Sequence, residues 1–178
     1  MATARGLAKL DHFVLIGSRD EAKGERVAAD LRAEGFRAEP LRLNMDDAVS
    51  HANAAATIEE RFGRLDVLVN NAAVIHDRAV PPSEVSVDAI RHTFETNFTM
   101  LVALTQRMLP LLRRSEAGRI VNLSSSRASL KINADPNLPL GEPVSMAYSA
   151  SKAAVNMFTV MLALELRTTK IKVNAADP

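Results

Sequence analysis

Short apolar runs alternate along the chain with longer stretches in which apolar residues recur every three or four positions. The short runs, rich in Val, Leu and Ile, predict five β-strands at 12–17, 38–43, 65–70, 119–124 and 171–175. The longer stretches predict five helices at 2–10, 20–34, 47–62, 87–113 and 147–168. Because strands and helices alternate, the sequence predicts an α/β protein with a parallel sheet and helices on both faces.

The helix at 87–113 has the clearest pattern, with Ser86 as a candidate N-cap. Its inward stripe consists of Ile90, Phe94, Asn97, Leu101, Leu104 and Met108. Asn97 is the polar exception, and a buried amide needs hydrogen-bond partners. Two compatible roles follow from this position, a structural bond to the main chain or a place in an active site.

One segment, from Leu130 to Val144, departs from the alternating pattern. It contains three prolines and a glycine, Pro136, Pro139, Gly141 and Pro143. Prolines remove main-chain donors and restrict the backbone, so we expect neither a helix nor an inner strand here.

The composition favours a single domain over residues 1–178, since 47% of the residues are hydrophobic. Lys and Arg number 22 against 21 Asp and Glu, and this near-neutral balance indicates neither a nucleic-acid nor a membrane partner. With no cysteine, disulfides and thiolate metal sites are excluded, and the four histidines lack metal-ligand spacing. No apolar run approaches membrane-spanning length, and we expect a cytoplasmic protein without a metal.

The only tyrosine of the chain, Tyr148, precedes Lys152 by four positions in a predicted helix. Residues spaced in this way share one helix face, so the ammonium is expected to lie beside the phenol. A fixed positive charge favours the phenolate, which makes the pair a candidate general acid and base. A solvated surface helix can carry the same two residues, and the neighbouring motifs therefore decide between the two interpretations.

Five motifs follow one another along the chain in a fixed order. They are Asn70-Asn71-Ala72-Ala73, Thr96-Asn97-Phe98, Val121-Asn122-Leu123-Ser124-Ser125, Tyr148-x-x-x-Lys152 and Val173-Asn174-Ala175-x-Asp177-Pro178. Together they closely resemble the short-chain dehydrogenase/reductase family, over essentially the whole chain. The 23-residue separation of Ser125 and Tyr148 resembles the carbonyl-reductase branch. The resemblance implies a Rossmann-like, doubly wound parallel sheet in a three-layer α/β/α arrangement.

The resemblance also implies hydride transfer between a nicotinamide cofactor and a small-molecule carbonyl or alcohol. Tyr148 would exchange the proton with the substrate oxygen, and Lys152 would favour the phenolate and bond the nicotinamide ribose. Ser125 would donate to the substrate oxygen, with Ser124 and Ser126 as alternatives. Asn97 would hold a water that links Lys152 to solvent.

The residues expected to contact the cofactor follow the first three predicted strands. Asn70 and Ala72 would lie along it, with Ala73 where the family usually has glycine. Ser18 and Arg19 follow the first strand, where an arginine fork suits the 2′-phosphate of NADP(H). Asp20 could instead act as the ribose-binding acid of an NAD(H) enzyme, so NADP(H) is favoured and NAD(H) is the alternative. Asn44-Met45 stands where the family commonly has an Asp-Val pair against adenine.

The glycines depart from the family's pattern. They occur at 6, 17, 24, 35, 63, 118 and 141, never closer than seven residues, so the sequence contains no glycine-rich phosphate loop. We therefore expect a fold that is incomplete at both ends, lacks the central first strand and binds NADP(H) weakly. Either a gap remains in the sheet, or the strand at 12–17 moves across to pair with the strand at 65–70.

The sequence is compatible with three functions. The first is an NADP(H)-dependent carbonyl reductase or alcohol dehydrogenase, and the second is a non-catalytic or interaction protein that cannot hold a dinucleotide. The third, an epimerase or dehydratase, calls for a longer substrate domain. The apolar outer faces of the helices at 87–113 and 147–168, with Phe98, Val102, Met157 and Met161, predict a homodimer. The same residues could instead pack against the sheet.

Overall fold

The computed structural model describes residues 2–135, 137 and 145–177. The chain divides into two compact units, residues 1–56 and 57–178, and each is described by itself. The expectation of one domain over residues 1–178 stays a prediction.

The first unit is built on a pair of parallel strands. Its elements are α1 (Ala2–Lys9), β1 (Val14–Ser18), α2 (Glu21–Ala33), β2 (Ala38–Arg42) and the first part of α3 (Ala48–Phe62). β1 and β2 run parallel, with Val14 opposite Ala38. Their buried residues form one apolar core with those of the helices, consisting of Ala8, Val14, Ala28, Leu31 and Ala38.

The second unit contains a three-stranded parallel sheet in the order β3-β4-β5. Its elements after α3 are β3 (Val67–Asn70), α4 (Val87–Phe94), a π-helical turn (Glu95–Thr99), α5 (Met100–Leu112), β4 (Arg119–Leu123), a 3-10 helix (Ser126–Ala128), α6 (Leu130–Ala134), α7 (Met146–Glu165) and β5 (Lys172–Ala176). Asn70 lies opposite Asn122, and the parallel strands bring their carboxyl ends to the same edge. The core is formed by fully buried apolar residues that include Leu101, Leu112, Ile120, Val155 and Ile171.

All five predicted strands are present and all their pairings are parallel, which confirms the predicted α/β class. Within the first unit β1 pairs with β2, and within the second unit β3 pairs with β4. The expected gap in the sheet and the alternative pairing of the strands at 12–17 and 65–70 stay predictions.

Two predictions about helices need correction. The helix predicted at 87–113 is interrupted by the π-helical turn, where the Met100 N–H bonds the Glu95 carbonyl five residues back. The segment from Leu130 to Val144 was expected to contain no helix, yet residues 130–134 form α6. Ser129 caps this helix by accepting from the Ile132 N–H, and Pro136, Pro139, Gly141 and Pro143 all follow its last residue. Those four lie outside the described residues.

Candidate functional site

Tyr148 and Lys152 lie in the first two turns of α7, as the four-residue spacing predicts. The Lys152 Nζ is 5.7 Å from the centre of the Tyr148 ring. Tyr148 is half-buried, whereas Lys152 is among the most buried side chains of the protein, with 2% of its surface exposed. The structure thus places an ammonium group beside a phenol that solvent or a ligand can still reach.

The Lys152 ammonium is held by the strand that precedes the serine run. Its Nζ donates a 2.6 Å hydrogen bond to the carbonyl oxygen of Leu123, the last residue of β4. Burial lowers the pKa of the Lys152 ammonium below its ordinary value, because removal from water disfavours the charged form. An ammonium has three N–H donors, so two remain for other partners.

The three consecutive serines after β4 have different surroundings. The Ser124 Oγ is buried and has no hydrogen-bond partner in the described part of the chain, whereas Ser126 is exposed. Ser125 is half-buried and caps the 3-10 helix, which packs against α7, by accepting from the Arg127 N–H. Because its Oγ is occupied only as an acceptor, the Ser125 hydroxyl proton is free to point at a ligand. Among the three, Ser125 therefore suits the predicted role best.

Asn97 is completely buried within the π-helical turn. Its Oδ1 accepts from the Val74 N–H at 2.7 Å, and its Nδ2 donates to the Val74 carbonyl oxygen at 2.9 Å. The same Nδ2 donates to the Ser151 Oγ of α7 at 3.1 Å. The structural main-chain role considered for Asn97 is therefore present, and the amide ties the loop after β3 to the helix of Tyr148 and Lys152.

Asn70 belongs to a chain of buried polar groups that joins β3 and β4 to two helices. Its Nδ2 donates to the Thr105 Oγ1 and to the Asn122 Oδ1, at 2.9 and 2.8 Å. Asn122 in turn donates to the Thr159 Oγ1 at 2.8 Å. The Asn70 Oδ1 has no hydrogen-bond partner among the described residues, and only 4% of the residue's surface is exposed. The Asn70 side chain thus holds the carboxyl end of β3 within the unit's core, while Ala72 and Ala73 beyond it are exposed.

In the first unit, Ser18 and Arg19 stand between β1 and α2. Arg19 is exposed and makes no hydrogen bond or ion pair with the part of the chain that the structure describes. Asp20 is engaged as the N-cap of α2, since its Oδ1 accepts from the Lys23 N–H at 3.0 Å. The Ser18 Oγ bonds the Asp20 main chain. The turn between β1 and α2 therefore exposes the Arg19 guanidinium to solvent, while the Asp20 carboxylate is used to cap α2.

The turn at Asn44 and Met45 is fixed by the first residues of α3. The Ser50 Oγ accepts from the Asn44 N–H at 2.9 Å, and the buried His51 places its Nε2 3.0 Å from the Met45 carbonyl oxygen. A carbonyl only accepts, so the imidazole carries its proton on Nε2. His51 is thus a structural histidine, as the lack of metal-ligand spacing indicated, and it orders the turn predicted to meet adenine.

Several residues that form hydrogen bonds with the predicted site residues, or within the same buried networks, were not predicted from the sequence. They are Ser50, His51, Thr105, Asn122, Ser151 and Thr159. Asn122 and Thr105 interrupt apolar runs, and a polar residue in such a run indicates a buried hydrogen bond. These two residues could therefore have been predicted from the sequence. Ser50, His51 and Ser151 carry no such signal, because their partners are main-chain groups or side chains set by the fold.

The part of the chain that the structure describes contains no group of three or more His, Cys, Asp or Glu side chains able to hold a metal ion. None of its helices combines the length and the apolarity needed to span a lipid bilayer.

Tyr148, Lys152, Ser125 and Asn97 all lie within residues 57–178, on α7 and on the segments that pack against it beside the parallel sheet. The complete chain, residues 1–178, matches the family described as short chain dehydrogenase. The protein therefore belongs to the short-chain dehydrogenase/reductase family of oxidoreductases. The predicted family and Rossmann-like fold class are confirmed.

Curated relatives agree with this assignment. The short-chain dehydrogenase anuI of Penicillium roqueforti is 32% identical, over 99% of this chain and 72% of its own. The cyclopentanol dehydrogenase of Comamonas sp. is 30% identical, over 97% of this chain and 64% of its own. The chain thus spans about two thirds of the length of these relatives.

Solved structures of family members share the fold. A gluconate 5-dehydrogenase from Burkholderia cenocepacia, in complex with NADP and tartrate, superposes with a TM-score of 0.82 at 26% identity, over 97% of this chain and 63% of that one. A metagenomic short-chain oxidoreductase in complex with NADP gives a TM-score of 0.83 at 27% identity, over 99% of this chain and 75% of that one.

Proposed function

We propose that this protein is an NADP(H)-dependent oxidoreductase that interconverts a small-molecule carbonyl and its alcohol, with Tyr148 as general acid and base. The observation that carries the proposal is the Lys152 ammonium, buried and 5.7 Å from the Tyr148 ring centre. A fixed positive charge beside a phenol favours the phenolate, the form that acts as the base. When bound, NADPH supplies the hydride for the carbonyl carbon.

In the reductive direction Tyr148 donates its Oη proton to the carbonyl oxygen as negative charge develops there. Ser125 donates a second hydrogen bond to the same oxygen and stabilises that charge. In the oxidative direction Tyr148 accepts the hydroxyl proton. Lys152 holds the charge that favours the phenolate in both directions, and its remaining N–H groups reach the nicotinamide ribose and solvent.

The residues suited to the adenosine half of the cofactor lie in residues 1–56. Arg19 offers an exposed guanidinium with no partner among the described residues, and Ser18 offers a hydroxyl beside it. Asp20 is engaged in capping α2, so the turn is better matched to a 2′-phosphate than to a free ribose hydroxyl. The ordered Asn44-Met45 turn would meet the adenine, and the exposed Ala72 and the end of β3 at Asn70 would lie along the cofactor.

NADPH consumption in the presence of a panel of ketones and aldehydes tests the proposed function, with NADH as the comparison cofactor. We expect turnover with NADPH that depends on an added carbonyl compound and ceases in Tyr148→Phe. If the folded protein bound neither nucleotide in a calorimetric titration, the non-catalytic interpretation would replace this one.

A homodimer through α7 is a separate proposal. The face of α7 that carries Met157, Val160, Met161 and Leu164 is apolar, and each of these side chains is more than half exposed. Contiguous apolar surface of this kind favours association. Phe98 and Val102 of the neighbouring segment are half-buried and contribute less. Light scattering at tens of micromolar protein should give twice the mass of the chain, and Met161→Glu should give a monomer; a wild-type monomer would end the proposal.

A further inference from the structure

A buried carboxylate lies beside the catalytic helix although no part of the proposed reaction uses it. Asp77 follows β3 in the loop after Val74, and none of its surface is exposed. Its Oδ2 accepts a 2.6 Å hydrogen bond from the main-chain N–H of Ala147, and its Oδ1 has no hydrogen-bond partner among the residues that the structure describes. Burying a carboxylate is costly unless something nearby favours the charge.

The start of α7 supplies that favourable surrounding. The first N–H groups of a helix lack partners within it, and the aligned peptide dipoles attract negative charge there. Ser145 occupies the N-cap position of α7 but makes no side-chain capping bond. The cap is instead provided by Asp77, from a position 70 residues earlier in the chain.

The bond joins Asp77 to the turn of α7 that carries the proposed catalytic tyrosine. Ala147, which donates to it, immediately precedes Tyr148, and Lys152 follows one turn later. The loop of Asp77 is tied to the next turn of α7 as well, through Asn97, which bonds Val74 and Ser151. Two attachments one helical turn apart fix both the position and the rotation of the first turn of α7.

We propose that Asp77 is a positioning residue for Tyr148. By capping α7 from the loop after β3, it keeps the phenol beside the Lys152 ammonium and at a fixed distance from that loop. The inference rests on the proposed function, because it assigns Asp77 a role in the same proton transfer. Asp77 acts only through the main chain of α7.

Tyr148 is itself a probe of this role, because the chain has no other tyrosine and no tryptophan. Near-ultraviolet circular dichroism of tyrosine therefore reports how firmly the Tyr148 ring is held. The measurement needs neither cofactor nor substrate, so its result stands even if the protein does not reduce carbonyls.

Two variants of similar size separate positioning from charge. In Asp77→Asn the amide oxygen still accepts from the Ala147 N–H, whereas in Asp77→Leu no acceptor remains. Both lack the Asp77 carboxylate, so a difference between the two variants reports the capping bond and not the charge.

Other charged groups near this turn are the same in both variants. His76 and Arg78 flank Asp77 and are exposed, and seven further charged or titratable groups stand on elements packed against α7, namely Asp88, Arg91, His92, Glu95, Arg119, Arg127 and Lys172. None of them is altered by the substitutions at position 77.

We expect Asp77→Asn to keep the wild-type near-ultraviolet signal of Tyr148 and Asp77→Leu to lose most of it, because the first turn of α7 is then no longer held. In turnover assays Asp77→Leu should lower kcat at least about tenfold with a smaller change in KM, as expected for a misplaced catalytic group. Identical near-ultraviolet signals for folded Asn and Leu variants would overturn the proposal.

If Asp77→Leu does not fold, the test passes to a double variant that also carries Ser145→Asp. The new aspartate caps α7 from its own N-cap position. Recovery of the wild-type near-ultraviolet signal in the double variant supports the proposal. A folded double variant whose signal stays reduced contradicts it, and so does a double variant that remains unfolded, since capping α7 would then not be what Asp77 supplies.

Discussion

Lys152 contacts Tyr148 and the end of β4 at the same time. Its Nζ lies 5.7 Å from the centre of the Tyr148 ring and 2.6 Å from the carbonyl oxygen of Leu123. The strand thereby fixes the ammonium, and the ammonium in turn provides a fixed charge for the phenol. The proposed chemistry depends on this arrangement of one helix and one strand.

Burial of Lys152 makes stability depend on pH in a defined direction. The unfolded lysine titrates near ~10.4, and burial lowers the pKa in the folded state. Between the two values the unfolded chain binds more protons, so the free energy of unfolding rises with pH in that window. Lys152→Met lacks this rise because methionine carries no proton.

The stability difference, wild type minus Lys152→Met, should therefore shift in favour of the wild type as pH increases towards ~10. Urea unfolding at several pH values measures it, with the exposed Lys172→Met as the matched control. A difference that stays constant with pH, like that of the control, would show that burial does not perturb Lys152.

Ser125 should be the serine that acts on the substrate. Replacement by Ala removes a hydroxyl whose proton is unused, and we expect kcat to fall by about 10- to 1,000-fold, in the range for lost donors to a developing oxyanion. Ser126→Ala and Ser124→Ala are the matched controls and should retain most of the activity. Equal losses at all three positions would assign no special role to Ser125.

Arg19 should determine cofactor preference. Arg19→Ala removes the guanidinium proposed to pair with the 2′-phosphate, so NADPH binding should weaken by about 10- to 100-fold while NADH binding changes little. Calorimetric titration at one fixed salt concentration measures both, with the exposed Arg26→Ala on α2 as the control. Equal weakening for the two nucleotides would make Arg19 a structural residue.

Asn97 should contribute strongly to stability. Asn97→Ala leaves the Val74 N–H and carbonyl groups without their partner, at a cost of about 1–3 kcal/mol for each buried group. Urea unfolding should show this loss. The same substitution at the exposed Asn133 is the control and should cost less than about 1 kcal/mol. Similar losses of unfolding free energy at both positions would show that the hydrogen bonds between Asn97 and Val74 do not contribute strongly to stability.

The sequence predicted the strands and helices because the period of apolar residues follows from burial, and each predicted strand is present. It also predicted that Tyr148 and Lys152 share a face of one helix, since that contact is local. The π-helical turn was not predictable, because the Asn97 amide that sits in it bonds Val74, 23 residues earlier. The Asp77 cap was equally hidden, since a loop aspartate is usually solvated and its partner is a main-chain group.

The comparison of wild-type protein with Tyr148→Phe tests the proposed chemistry most directly. The substitution removes the hydroxyl and preserves the ring, so folding and NADPH binding should change little. Single-turnover measurement with saturating NADPH and a carbonyl substrate should show the chemical step slowed at least about 100-fold, the range for a positioned acid. A Phe variant that reduces the same substrate at the wild-type rate would remove Tyr148 from the mechanism.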